Sequence, residues 1–342
     1  MAPADNITLP ERYSVRHARD QDARDIVALI DACDQSFGIA SSGYSDVDIR
    51  EGWGNLDIER DTWVIVAPDD SLAAYGEVTD QGSGKLIADG YVHPEHRGKG
   101  LGTTLARRME ARARELVENA PAHAQVKLSN GVLLLDQAAR DLLEREGYTI
   151  GRVFWEMRIT LTEEPAAPEL PDGLRLRAFT PGQDERAVFD TTQAAFADHW
   201  EHTPHQFEDW MHHTRRPDFD PSLWLLVETA DGAIPAVSLG SMRADHGWIN
   251  TVATRREWRK RGLASALLRA SFRAFWEHGM RVVALGVDSQ NPTGATHVYE
   301  AAGMRAASSA VIFQKVLRPG KDLATSAASE NAEDVNSGGA QA

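Results

Sequence analysis

Arg97-Gly98-Lys99-Gly100-Leu101-Gly102 follows the apolar pair Tyr91-Val92 and opens a helical pattern. In that pattern Leu101, Leu105, Met109, Ala113 and Leu116 share one face. Small residues at 98, 100 and 102 permit a tight turn that bares backbone N–H groups. The helix start adds unpaired N–H groups and the positive end of the macrodipole. A strand, a small-residue loop and a helix start, in that order, make a site for phosphate. The chain contains the arrangement twice. Arg259-Lys260-Arg261-Gly262-Leu263-Ala264 repeats the order Arg, two residues, Gly, one residue, Gly or Ala, 162 positions later. Neither loop carries G-x-G-x-x-G, which sets aside a Rossmann dinucleotide site, and neither closes with Gly-Lys-Ser/Thr, which sets aside a Walker A site.

Outward from the loops the two halves read alike. Ser14–Ala18 is a short strand, Asp20 stands at a helix-cap position, and Ala23, Ile26, Val27 and Ile30 keep helical spacing. Phe37–Gly54 is irregular or a short helix. Thr62–Ala67, Leu72–Val78 and Lys85–Val92 are strands separated by turns at Asp69-Asp70 and Gln81–Gly84. After the first loop helix come a strand within Val126–Leu135, a helix over Gln137–Glu146 stopped by Gly147, and a last strand over Val153–Leu161. Residues 162–173 hold Pro165, Pro168 and Pro171, the composition of a semi-rigid linker. The order then restarts: Leu174–Ala178, the helix over Gln183–Phe196, strands at Ser222–Val227, Ile234–Ser241 and Trp248–Thr254, the second loop, a strand over Val282–Val287, a helix ending at Gly303 and a strand over Ala310–Leu317. An internal duplication accounts for this. The expected organisation is a frayed N-terminus (1–12), a first domain (13–161), the linker (162–173), a second domain (174–318) and a disordered tail (319–342). Each domain is expected to be a mixed sheet with helices packed on it, an α/β (α+β) fold.

Composition narrows the function classes. The 342 residues are 42% hydrophobic and 25% charged, those of a globular protein, with a single Cys33. One cysteine rules out an intrachain disulfide framework and a multi-Cys zinc site, and it suits a reducing compartment. No apolar run reaches the ~20 residues of a membrane span and no signal peptide is apparent, so a cytoplasmic protein without membrane contact is expected. The net charge of −15 argues against nucleic-acid binding through a basic surface, although both loops are locally basic.

With these motifs, both halves resemble GCN5-related N-acetyltransferase (GNAT) domains, over about residues 13–317. The resemblance implies acetyl-CoA as co-substrate, with no metal. It implies pyrophosphate contacts from the backbone of Arg97, Gly98, Lys99, Gly100, Leu101, Gly102 and Thr103, and of Arg259, Lys260, Arg261, Gly262, Leu263, Ala264 and Ser265. It places the ends of the preceding strands, Val92 in one half and Ala253-Thr254 in the other, against the pantetheine arm and acetyl carbonyl. The segment Val298-Tyr299-Glu300-Ala301-Ala302-Gly303-Met304 resembles the family's Leu-Tyr-Glu-x-x-Gly-Phe, whose tyrosine protonates the leaving thiolate. Asn291 matches a residue that contacts the pantetheine arm. Aligning Gly147 with Gly303 puts Leu143 opposite Tyr299 and Leu135 opposite Asn291, so the second half is expected to be catalytic and the first not.

The implied activity is transfer of acetyl from acetyl-CoA directly to an amine of a small molecule. The two-domain layout is similar to that of mycothiol-synthase-type enzymes, and a non-catalytic acyl-CoA sensor or scaffold is the reading from another class. Asp245 and His246 are base candidates, although their position favours plain residues of a surface turn. Asp198, His199, Trp200, His202, His205, Trp210, His212 and His213 would suit the mouth of an acceptor site. Cys33 reads as a buried structural thiol. A monomer or homodimer is expected.

Overall fold

The computed structural model describes residues 9–39, 43–54, 56–197, 206–216, 219–243, 245–291 and 294–323. In chain order β1 (Ser14–Arg16), α1 (Ala23–Gln35), α2 (Asp46–Trp53), α3 (Ile58–Asp61), β2 (Thr62–Val66), β3 (Leu72–Asp80), β4 (Lys85–Val92), α4 (Leu101–Leu116), β5 (Val126–Leu133) and α5 (Gln137–Arg145) lead to β6 (Thr149–Thr160). The series then repeats with β7 (Leu174–Ala178), α6 (Glu185–Phe196), α7 (Phe207–Trp210), α8 (His212–Arg215), β8 (Trp224–Thr229), β9 (Ala236–Met242), β10 (Gly247–Thr254), α9 (Leu263–Glu277), β11 (Val282–Asp288), α10 (Ala295–Ala301) and β12 (Arg305–Arg318). No helix of the described residues is long and apolar enough to cross a membrane.

The chain divides into two compact units. Unit 1 joins Met1–Val153 to Ser309–Leu323, and unit 2 is built on Phe154–Ser308. In unit 1 the strands lie in the order β1-β2-β3-β4-β5-β12, antiparallel except for the β4–β5 pair. In unit 2 they lie β7-β8-β9-β10-β11-β6, antiparallel except for β10–β11. Helix faces are buried as their spacing predicts: Leu101, Leu105, Met109 and Ala113 of α4 in unit 1, and Leu263, Leu267, Ser271 and Phe275 of α9 in unit 2.

The units depart from the sequence halves at their last strands. The expected boundaries give each half its own closing strand, but the strands are exchanged. Ala310–Arg318 of β12 pairs with β5 of unit 1, and Phe154–Thr160 of β6 pairs with β11 of unit 2. Val311 and Phe313 are 1% and 0% exposed in the core of unit 1, beside Leu86, Leu105 and Leu128. Met157 of β6 fills the core of unit 2 in return. β6 and β12 run twelve and fourteen residues, so each outruns the strand it pairs with, the seven-residue β11 and the eight-residue β5.

One local expectation is corrected. Asp20 begins a short 3-10 turn and caps nothing; Asp22, not Asp20, accepts the Arg19 N–H at 2.8 Å and a forked ion pair from Arg16 at 2.6 and 2.9 Å. Unit 2 repeats the device with Arg177, Asp184 and the Thr180 N–H. Burial pushes both carboxyls upward, but the guanidinium and amide outweigh it and hold them below the ordinary value.

Replacing Phe313 by Ala should cost ~3–5 kcal/mol. Hydrogen exchange should locate the loss in β5 of unit 1; a loss of protection confined to β11 of unit 2 would contradict the exchange.

Candidate active site

Both phosphate-type loops adopt one backbone shape. In unit 1 Gly98 and Gly100 have φ of 76° and 79°; in unit 2 Lys260 and Gly262 have φ of 61° and 80°. Lys260 thus accepts a left-handed conformation that a side chain disfavours, strain of the kind stored at functional positions. Gly100 and Gly262 are the N-caps of α4 and α9, and neither helix start has a side-chain cap. A Cβ added at Gly98, Gly100 or Gly262 would meet nothing within 4 Å, so the space over each loop is open. Exposed N–H groups around such a concavity fit a phosphate oxygen.

Beside each loop the sheet opens. β4 pairs with β5 only from Lys85↔Lys127 to Ala88↔Asn130, and β10 with β11 only from Gly247↔Val283 to Ile249↔Leu285. Past those rungs β4 and β10 are paired with a strand on one side alone, β3 and β9 respectively. A cleft between parting parallel strands, with free backbone donors and acceptors on its wall, can take an extended amide-bearing ligand. In unit 1 the cleft is a cavity of about 570 Å³, bounded by Leu105 and Met109 of α4 on one side and by Cys33 of α1 and Phe37 just after it on the other. In unit 2 the β9–β10 register slips between Ile249 and Thr251, leaving Asn250 as a bulge where the strands part; the β3–β4 ladder runs unbroken. Bulges re-aim the strand beside active sites. Sequence reading had no marker for this one.

The expected site residues divide by what their side chains do. Val92, Arg97, Gly98, Gly100, Leu101, Gly102 and Thr103 all border the unit 1 cavity. Lys99 is not among them: its ammonium is 3.0 Å from the Tyr13 hydroxyl and 3.2 Å from the Glu95 carbonyl. Arg97 lies over the Phe37 ring at 4.8 Å. Leu101 and Leu263 are core side chains, each 1% exposed, and offer the loop only backbone. Gly102 is small for packing, since a Cβ there would stand 3.2 Å from Leu142. In unit 2, Arg259 donates to the Ala195 carbonyl at 2.9 Å and the Thr254 carbonyl at 3.4 Å, tying the loop to the end of α6. Arg261 lies over Trp258. Lys260, Ala264 and Ser265 complete the loop and the first turn of α9. Ala253 is buried, and the Thr254 Oγ1 is buried with no protein partner among the described residues. The Asn291 backbone N–H donates to the carbonyl of Asp288, the last residue of β11, at 3.1 Å.

Tyr299 and Leu143 occupy equivalent places. Met304 N–H donates to the Tyr299 carbonyl at 3.0 Å and Tyr148 N–H to the Leu143 carbonyl at 2.9 Å, with Gly303 and Gly147 left-handed between. Tyr299 is 9% exposed and packs with Leu285, Val287 and Met304. Burial pushes its hydroxyl up to about 12, so it keeps its proton at neutral pH. Leu143 has no proton to give and lines the unit 1 cavity.

Other candidates are displaced. His246 is 2% exposed, its Nδ1 is 2.5 Å from Asp245, and its Nε2 has no protein partner among the described residues. The pair precedes β10, ~10 Å of strand before the split at Ile249 and far from the loop. Trp210 is a core residue against Phe189 and Trp224 rather than a cleft wall. Asp198, His199, Trp200, His202 and His205 lie outside the described residues. Cys33 is buried, donates to the Val92 carbonyl at 3.3 Å, and is pushed up to about 11 by burial. Among the described residues no group of three or more His, Cys, Asp or Glu could hold a metal ion.

Comparison with known proteins agrees with this geometry. The model of the acetyltransferase (GNAT) family matches residues 26–148 and again 186–304. A mycothiol acetyltransferase of Thermobispora bispora is 34% identical over 249 residues, 70% of this chain and 79% of the relative. One from Pseudarthrobacter chlorophenolicus is 29% identical over 299 residues, 83% and 88% of the two chains. A GCN5-related N-acetyltransferase structure from Sphaerobacter thermophilus is 39% identical with a TM-score of 0.81, covering 93% of this chain and 100% of that one. A tandem GNAT protein from the clavulanic acid biosynthesis pathway shares the fold at 17% identity and a TM-score of 0.67, over 90% and 100% of the chains. With two family matches, two open loops and two parted sheets, the chain is an acyltransferase that uses acetyl-CoA, and it belongs to the acetyltransferase (GNAT) family.

Proposed function

We propose that the protein moves acetyl from acetyl-CoA to an amine of a small molecule, with the chemistry in unit 2. The carrying observation is the difference at one equivalent position, Tyr299 against Leu143. The loop backbone from Arg259 to Ser265 takes the pyrophosphate, and the unpaired edge of β10, from the Asn250 bulge to Ala253 and Thr254, receives the pantetheine amides. Asn291, three residues past the end of β11, is assigned to the same arm. Free N–H groups past the bulge polarise the thioester carbonyl. As the amine nitrogen bonds to the carbonyl carbon and the carbon–sulfur bond breaks, Tyr299 gives its hydroxyl proton to the sulfur; the amine's surplus proton leaves to solvent, and solvent returns a proton to Tyr299.

Unit 1 keeps the loop and the cleft but not the acid, and we assign it the binding of a second acyl-CoA without turnover. Val92, Arg97, Gly98 and residues 100–103 border its cavity, which supports that assignment. An acceptor of the kind denoted by the relatives' name, mycothiol acetyltransferase, is compatible with the reading.

Thiol release with a panel of primary amines tests the acid. Tyr299→Phe should slow kcat ~10²-fold or more with acetyl-CoA affinity nearly unchanged; an unaltered rate would remove Tyr299 from the mechanism. Because burial holds the hydroxyl proton up to about 12, the rate should show no descending limb between neutral pH and pH ~10.5, where a tyrosine of ordinary pKa would already be losing its proton. Calorimetry should count two acetyl-CoA sites. Gly262→Glu should remove one of them together with turnover. Loss of turnover in a folded Gly100→Glu variant would contradict the division between units.

A further inference from the structure

At the open end of β4 and of β10, one backbone carbonyl is already held by a side chain. His93 N–H donates to the Ala73 carbonyl and Arg255 N–H to the Pro235 carbonyl, both at 2.9 Å. Antiparallel alternation therefore turns the N–H and C=O groups of Val92 and Thr254 away from β3 and β9, toward the parted side. In unit 1 the Val92 carbonyl accepts from the Cys33 thiol at 3.3 Å. In unit 2 the Thr254 carbonyl accepts from Arg259 Nε at 3.4 Å, and the same guanidinium donates to the Ala195 carbonyl at 2.9 Å.

The two joints are equivalent but differently made. Cys33, Val92 and Arg97 stand 162 places before Ala195, Thr254 and Arg259, the interval between the loops. Ala195 has no donor in its side chain, so the guanidinium spans what the thiol closes in unit 1. Arg97 instead lies over the Phe37 ring. Arg255 reinforces the joint of unit 2, donating to Thr191 Oγ1 at 3.1 Å one turn earlier on α6. A charged donor makes a stronger hydrogen bond than a thiol. The joint also lies where a ligand is needed. Thr254 Oγ1 is buried without a protein partner among the described residues, an orphan that a group in the cleft would satisfy. The N–H groups of Val252 and Thr254 share that open edge, by the same alternation.

We propose that Arg259 is a positioning residue of the transfer. By clamping the Thr254 carbonyl to the end of α6, it aims the N–H groups of the β10 edge at the thioester carbonyl. Its side chain serves this joint and not the pyrophosphate, which the loop backbone takes. Donors fixed in advance stabilise the developing oxyanion without reorganising, and a slack edge forfeits part of that stabilisation. The role presupposes that unit 2 carries the turnover, as proposed above.

Arg259→Met, which keeps the bulk and removes the donors, tests it in the full chain. Thiol release should fall at least ~10-fold in kcat. Calorimetry should still count two acetyl-CoA sites with affinities within ~3-fold of wild type, which also shows that the variant is folded. Adding Ala195→Cys to Arg259→Met supplies a thiol where Cys33 stands in unit 1, and should recover at least ~3-fold of the lost rate. Loss of a site, or affinity weakened ~10-fold with kcat kept, would make Arg259 a phosphate ligand and overturn the proposal. An unaltered kcat, or no recovery with Ala195→Cys, would overturn it as well. Tyr299→Phe, assayed alongside, separates the two readings. A fall in Arg259→Met beside an unaltered Tyr299→Phe upholds Arg259 and removes the acid; the reverse overturns Arg259 and leaves the acid in place.

Discussion

Everything at the site depends on two parallel ladders that stop early. β4 leaves β5 after Ala88, and β10 leaves β11 after Ile249, while each stays bonded to its antiparallel neighbour. A backbone group without a partner is costly in a dry interior and useful in a cleft. The parted strands turn a sheet into a receptor whose wall is main chain. Side chains then decide what a particular cleft does. The helix starts at Leu101 and Leu263 close its far end with N–H groups, so both charge and hydrogen bonding are supplied by backbone. That economy explains why so few loop side chains face the open space: Lys99 turns to Tyr13 and Glu95, Arg259 to Ala195, and Leu263 to the core.

The duplicated frame has diverged in opposite directions. Unit 2 has a bulge at Asn250, a buried hydroxyl at Thr254 and a protonated Tyr299. Unit 1 has an unbroken ladder, Leu143 in place of the tyrosine, and the Cys33 thiol in place of the Arg259 bridge. Each difference sits on the parted strands or on an element beside them, where the cleft rather than the core is altered.

Much of this was legible in the sequence. The loops announce themselves through small residues ahead of a 3.6-residue apolar period, and Gly147 and Gly303 mark helix ends through a conformation that side chains resist. Local signals serve where the physics is local. The strand exchange is not: Val311 and Phe313 alternate as any half-buried strand would, and nothing within ten residues distinguishes β5 from β11 as their neighbour. Cys33 and Ala195 look like ordinary buried positions of two helices until the fold sets a thiol on one strand end and a guanidinium on the other. The Asn250 bulge carries no glycine to betray it. His246 reads as a surface turn, yet it is buried, because tertiary packing outranks the polarity of its neighbours Asp245 and Arg243.

The exchanged strand also bears on the life of the chain before it is whole. Unit 1 completes its sheet through contacts such as Gln314 to Ser129, 185 residues apart. During synthesis the first phosphate loop, its helix and β5 all leave the ribosome long before β12 exists. For that interval β5 presents an unpaired edge and Leu86, Leu105 and Leu128 lack their Phe313 lid. Pairing at such separation is slow and exposes apolar surface to neighbours. The nascent first half is therefore the stage at which this protein most needs shelter, and a release from translation anywhere before Ser309 yields a chain with its oldest domain still open.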